Sequence, residues 1–141
     1  MDLSKRNLHR DPFEAMFLVK QWNLSCANIR SMNLSHNNFE VLFCSIMVLF
    51  KNLTCLSVND NRLSSLPESM RRLERLQELD LRNNQLKGLD VVRELPELKK
   101  LLVEGNPLTL AEIRSLMKHV DTTTRKISVD IAGRDRKSTR L

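Results

Sequence analysis

Tyrosine is absent from this chain of 141 residues, tryptophan occurs once and phenylalanine five times, so a core has to be built from Leu, Ile, Val and Met. Three glycines leave little material for the loops that cradle nucleotide phosphates. No apolar run approaches the ~20 residues that span a bilayer as a helix. Nor does the opening Met1-Asp-Leu-Ser-Lys-Arg6 lead into the roughly 7–15-residue apolar segment of a secretory signal. Cys26, Cys44 and Cys55 are odd in number and form no paired clusters. That argues against a disulfide framework and for a reducing, cytoplasmic setting, with the nucleus also open. His9, His36 and His119 are scattered, and neither HExxH nor CxxC occurs. Cys55 and His36 lie on neighbouring stretches without a third group to orient them. No catalytic residue, metal ligand or cofactor is expected, and the chain does not read as an enzyme.

What the chain does have is a period. Asn37, Asn61, Asn84 and Asn106 recur at intervals of 24, 23 and 22 residues, each behind one apolar frame. The frames are Ile29-x-x-Met32-x-Leu34, Leu53-x-x-Leu56-x-Val58, Leu76-x-x-Leu79-x-Leu81 and Leu98-x-x-Leu101-x-Val103. Another apolar residue follows each asparagine at Phe39, Leu63, Leu86 and Leu108. Alternation inside each frame suits a short strand that buries one face and exposes the other. The asparagine amide both donates and accepts, so stacked turns can share it as a structural ladder.

These four frames resemble the leucine-rich repeat, L-x-x-L-x-L-x-x-N-x-L. The resemblance implies an α/β solenoid with short parallel strands on a concave face, 3₁₀ or helical connections on the convex side, and helical caps. Extracellular members usually carry cysteine-rich caps, and none is visible here. Leu66-Pro67-x-x-Met70-x-x-Leu73 resembles the common intracellular form, and Leu89-x-x-Val92-x-x-Leu95-Pro96 the shorter form of phosphatase-regulating members. Apolar residues three apart suit a 3₁₀ turn or a short helix.

A length of 141 residues suits one domain. Residues 29–108 hold the four repeats. Residues 1–28 read as a degenerate repeat or N-terminal cap, with Arg6 where the asparagine belongs and an apolar helical segment, Phe13 to Trp22, behind Pro12. Leu24 to Ile29 offers a second, weaker strand frame. The stretch Val41 to Phe50 is apolar enough to face another element, with Cys44 read as a small core hydrophobe. Residues 109–133 read as a capping helix, with Leu110, Ile113, Leu116 and Met117 on one face, and then a strand alternating Ile127, Val129 and Ile131. Residues 134–141 are set aside, because the final Asp135 to Leu141 resembles a translated sequencing adapter and the natural C-terminus is then expected elsewhere.

Removing the seven residues Asp135 to Leu141 also changes the charge. The chain's formal +6 includes Arg136, Lys137 and Arg140 against Asp135, a net +2, which leaves +4. Arg71, Arg72 and Arg75 are interleaved with Glu68 and Glu74, and Lys99 and Lys100 with Glu94 and Glu97, as on a solvated, charge-laced surface. That argues against a nucleic-acid partner. In the family, the strand face is the usual contact surface for another protein. The outward positions here are Ser31, Asn33, Ser35, Cys55, Ser57, Asn59, Glu78, Asp80, Arg82, Lys100, Leu102 and Glu104, with His36, Asp60 and Asn83 extending the polar surface. The resemblance thus implies a scaffold or adaptor. Two alternatives stay open: a targeting module of a larger enzyme such as a kinase, ubiquitin ligase or phosphatase complex, and a ribonucleoprotein component. Leu81→Ala is expected to lower stability by about 2–5 kcal/mol through core loss. A melting curve superimposable on the parent's would contradict the repeat register.

Overall fold

The computed structural model describes residues 1–11, 26–122 and 128–130. Its frame positions become strands: β1 (Ser31–Asn33), β2 (Cys55–Ser57), β3 (Glu78–Asp80), β4 (Lys100–Leu102) and β5 (Ser128–Asp130). They form one parallel sheet in chain order. Equivalent frame positions pair, Met32 with Leu56, Leu56 with Leu79 and Leu79 with Leu101. These central residues are at most 2% exposed, while their neighbours on either side face outward or sit half-buried. Alternate residues of a strand point to opposite faces, so the pattern of the sequence becomes the pattern of the sheet. The next inward row, Leu34, Val58, Leu81 and Val103, closes the core beneath it.

Three residues make a short strand, and the backbone ladder is extended beyond it. The amides of His36, Asp60 and Asn83 donate to the carbonyls of Asn59, Arg82 and Glu104 in the following repeat. At this position the backbone turns left-handed, with φ of +54° at His36, +55° at Asp60, +52° at Asn83 and +73° at Gly105. Asp, Asn and Gly adopt that conformation at lower cost than other residues. The turn swings the next residue, always asparagine, back into the protein. Asn84 shows the result. Its Nδ2 donates to the Val58 carbonyl of the preceding repeat and to the Leu81 and Arg82 carbonyls of its own, at 3.0 to 3.2 Å. Its Oδ1 accepts from the Leu63 amide at 3.0 Å. Asn61 bonds in the same way to the Leu34, Val58 and Asn59 carbonyls and the Phe39 amide. Asn37 and Asn106 occupy equivalent places.

Residues 1–8 add one more turn to this stack. Asp2 bridges in parallel to Asn33, and the Arg6 and Leu8 amides both donate to Asn37 Oδ1. Arg6 stands where an asparagine would, so the ladder's last shared amide belongs to Asn37. The segment 12–22, read as helical, lies outside the described residues, as do Leu24, Ile127, Ile131 and the tail. Residues 26–30 hold no strand, so the weaker frame suggested for that stretch gives way to β1.

Opposite the sheet runs a layer of short turns: α1 (Cys44–Leu49), 3₁₀ turns at Glu68–Arg72 and Asp90–Glu94, and α2 (Leu110–Thr122). Each packs mainly on the next along the chain. Ile46, Phe50, Met70, Leu73, Val92, Leu95 and Leu116 point inward from this layer. Phe39 and Phe43 meet edge to face, with ring centroids 5.3 Å apart. Two readings are corrected here. Cys44 is exposed, because the buried side of α1 is taken by Ser45, Ile46, Met47 and Leu49. On α2, Leu116 is buried and Ile113 packs against the core, but Leu110 and Met117 are 58% and 42% exposed. One stripe of contact with the repeat beside it is too narrow for all four.

Thr109 and Glu112 begin α2 with a reciprocal capping box. The Glu112 carboxylate accepts from the Thr109 amide at 2.7 Å, and the Glu112 amide donates to Thr109 Oγ1 at 3.2 Å. After α2 the chain returns to the sheet. The partner of the strand around Val129 is β4, with Leu101 opposite Val129. Asn84→Ala is expected to destabilise the fold by about 1–3 kcal/mol, because it leaves buried carbonyls and the Leu63 amide unpaired. Urea unfolding measures the loss, and a midpoint equal to the parent's would show that water replaces the amide without cost.

Candidate functional site on the strand face

The outward side chains of β1 to β4 stand in rows, since equivalent positions pair across the sheet. One row runs Ser31, Cys55, Glu78, Lys100, and the next Asn33, Ser57, Asp80, Leu102. Over them lies an open depression of about 350 Å³, lined by these eight residues together with Arg82 and the backbone side of Met32, Leu56 and Leu79. The remaining outward positions, Ser35, Asn59 and Glu104, lie outside that lining. Ser35 is a correction. It is only 6% exposed, with its amide and hydroxyl both bonded to Asn33 Oδ1 at 3.0 and 2.7 Å. It shapes Asn33 instead of presenting a surface of its own.

The two halves of the face differ in chemistry. On β1 and β2 the side chains are small and bonded locally. Ser57 donates to Asn59 Oδ1 at 2.6 Å, and Asn59 donates to Asp60 Oδ2 at 2.5 Å. On β3 and β4 all but Leu102 are charged, and the charges pair among themselves. Arg82 grips Asp80 with two near-parallel hydrogen bonds, Nε to Oδ1 at 2.9 Å and Nη2 to Oδ2 at 2.7 Å. That hydrogen bond holds the guanidinium above its ordinary pKa against partial desolvation, and the charges of Asp80, Glu104 and Asp60 add to it. Lys100 Nζ lies 3.8 Å from Glu78 Oε2, a loose and half-exposed pair.

Along the strand ends, the left-handed residues form a second row. Asp60 accepts from Asn83 Nδ2 at 2.8 Å, and His36 Nε2 lies 3.5 Å from Asp60 Oδ2. Sequence reasoning counted His36, Asp60 and Asn83 only as polar flanks. The recurrence of Asp, Asn and Gly immediately before three ladder asparagines was the signal for a left-handed turn. Gly105 closes the row tightly, because a Cβ there would stand 2.2 Å from Asn83 Oδ1.

Among the described residues, no group of three His, Cys, Asp or Glu is placed to hold a metal ion, and no helix is long and apolar enough to cross a membrane. Cys26 is buried, and burial raises its thiol pKa. The geometry offers a surface of fixed polar rows.

Stacked parallel strands, asparagine ladder and short connecting turns define the class: the fold is a leucine-rich repeat solenoid. Residues 51–108 match the family model described as leucine rich repeat. The mouse geranylgeranyl transferase type-2 subunit alpha is 33% identical over 105 residues, which are 73% of this chain and 18% of that subunit. A Neurospora crassa adenylate cyclase is 38% identical over 82 residues, 57% of this chain and 4% of the cyclase. The chain thus spans less than a fifth of these relatives. Among solved structures, a leucine-rich repeat protein of Leptospira interrogans superposes with a TM-score of 0.70 at 28% identity, covering 87% of this chain and 28% of its own. Internalin C2 of Listeria monocytogenes superposes at 0.68 with 15% identity, covering 92% of this chain and 50% of its own, a likeness of fold alone.

Gly105→Ala is expected to cost at least ~1 kcal/mol, since it puts a methyl group at positive φ and displaces Asn83. Thermal unfolding reads the cost, and an unchanged melting temperature would mean that the Asn83 side chain swings aside freely.

Proposed function

We propose that the strand face docks another protein, making the chain a protein-interaction scaffold or adaptor with no catalysis of its own. One observation carries this reading. The frame residues are spent on the core, while the rows from Ser31 to Leu102 stand in register over a single open depression. A preformed surface of this kind binds without ordering its own loops, which lowers the entropic cost of association. An intracellular setting suits the free cysteines, since Cys44 is exposed and Cys55 half-buried with no disulfide partner.

A second reading has specific support. The transferase subunit and the cyclase carry their similar stretches as 18% and 4% of much longer chains. A docking module serving a larger protein therefore fits these repeats as well, and the same face would do the docking. The ribonucleoprotein reading draws less support, because Arg71 is paired with Glu68 at 2.8 Å and Glu94 at 3.6 Å, and Arg93 with Asp90 at 3.3 Å.

The triple variant Asp80→Lys, Arg82→Glu, Glu104→Lys tests the face. Positions 80 and 82 keep opposite signs, so the melting temperature should stay near the parent's. Affinity capture by the tagged protein, followed by mass spectrometry, is expected to lose its discrete partner in the variant. Capture that survives the triple change would move the docking site off the strand face.

A further inference from the structure

We infer that the strand face receives a cationic segment of its partner, with a lysine or arginine side chain lying over β2. This rests on the docking role proposed above and adds the chemistry of the occupant. The first observation is a partition of charge. Among the residues that line the depression and the left-handed turns beside it, Asp60, Glu78, Asp80 and Glu104 meet Arg82 and Lys100, while Arg30, Lys99 and the Met1 ammonium stand at the opposite, leading end of the strands. Asp2 and Lys5, in the turn before β1, cancel. The turn end of the face, with Asp60, Asp80 and Glu104 against Arg82, thus carries a surplus of two negative charges on a chain whose formal total is +6. The compensating cations, Arg72 and Arg75 among them, lie in and beyond the 3₁₀ turn of the opposite layer. That layer sits about a helix diameter, ~10 Å, behind the sheet. With a screening length of ~8 Å at physiological salt, the nearby carboxylates dominate what an approaching side chain feels.

The second observation concerns which charges are already committed. Arg82, the residue best shaped to hold a carboxylate or phosphate, has both ends of its fork on Asp80. An anionic partner would have to displace that pair. Glu78 is held only loosely, by Lys100 at 3.8 Å, and its side chain is 55% exposed. Asp60 bonds neutral amides, approaches His36, and meets Arg82 only through space, without a hydrogen bond to it.

The third observation is space. Ser31, Asn33, Cys55 and Ser57 are small, and they line the part of the depression over β1 and β2. Register places Glu78 beside Cys55 and Asp80 beside Ser57, with Asp60 at the end of β2's own turn. A long basic side chain has an apolar stem that suits small neutral neighbours, and a charged head that can stay half-solvated. Laid across Cys55 and Ser57 towards the turn, it brings its head to Asp60, while Glu78, at the other end of the same strand pair, is left for a second basic residue of the segment.

The test uses the full chain and two fluorescent twelve-residue peptides, identical except that each lysine of one is glutamate in the other. Anisotropy at physiological salt is expected to show binding of the lysine peptide and none of the glutamate peptide. The double variant Asp60→Asn, Glu78→Gln keeps a residue tolerant of positive φ at position 60. It is expected to weaken the lysine peptide ~5-fold or more, in line with two partly exposed ion pairs, at an unchanged melting temperature. Equal binding of both peptides, or a double variant that binds as the parent does, overturns the proposal. So does a parent that ignores the lysine peptide while the triple variant still loses the captured partner. That last result leaves the docking face standing and removes only its cationic occupant.

Discussion

Everything in this protein hangs on one shared amide per repeat. A three-residue strand offers too few backbone hydrogen bonds to hold its neighbours, and the turn after it leaves carbonyls facing inward where water cannot follow. The side chains of Asn37, Asn61, Asn84 and Asn106 meet those carbonyls with both amide hydrogens and take an amide from the repeat before with their oxygen. Because buried backbone groups are costly when unpaired, the ladder ties the height of each turn to the next. Register follows from it, and so does the alternation of every strand.

That constraint is what makes a surface of the strand face. Side chains that share a frame position are held about 4.8 Å apart, the spacing of neighbouring strands. Their chemistry can vary freely, since none of them supports the core. The chain uses that freedom unevenly. β1 and β2 are small and neutral, whereas β3 and β4 carry charges that mostly answer one another. The left-handed turn beside them is less free, because only residues that tolerate positive φ can stand there.

The sequence made the inward half of the molecule legible. Leu56, Leu79 and Leu101, and the asparagines behind them, recur with a period that few folds require, so strand position and burial could be read directly. What escaped was whatever depends on neighbours outside the period. Ser35 occupies an outward position yet is covered through its bonds to Asn33. Cys44 opens a helix whose buried side begins one residue later. Leu110 and Met117 fit a helical stripe, but only a narrower strip of α2 meets the adjacent 3₁₀ turn. The strand at Val129 had no visible partner because 28 residues separate it from Leu101, further than any interval between ladder asparagines. Of the candidate site, the outward positions were readable from alternation. Asp80 and Arg82 share a strand face two residues apart, so their pairing was readable too, but the bidentate hold that occupies the whole guanidinium fork depends on side-chain geometry.

The order of packing carries one more consequence. Each strand pairs only with the strands beside it, and each element of the opposite layer packs mainly on the next. Such a stack behaves as a one-dimensional chain, in which every unit is stabilised by its immediate neighbours and the ends fray first. β1 and β4 have no direct contact, so among the described residues nothing obliges them to melt together. A ligand lying across the face touches both at once. It acts as a splint, and by mass action it stabilises the folded stack while it is bound. Docking on the strand face would therefore set the cooperativity of this stack as well as its stability.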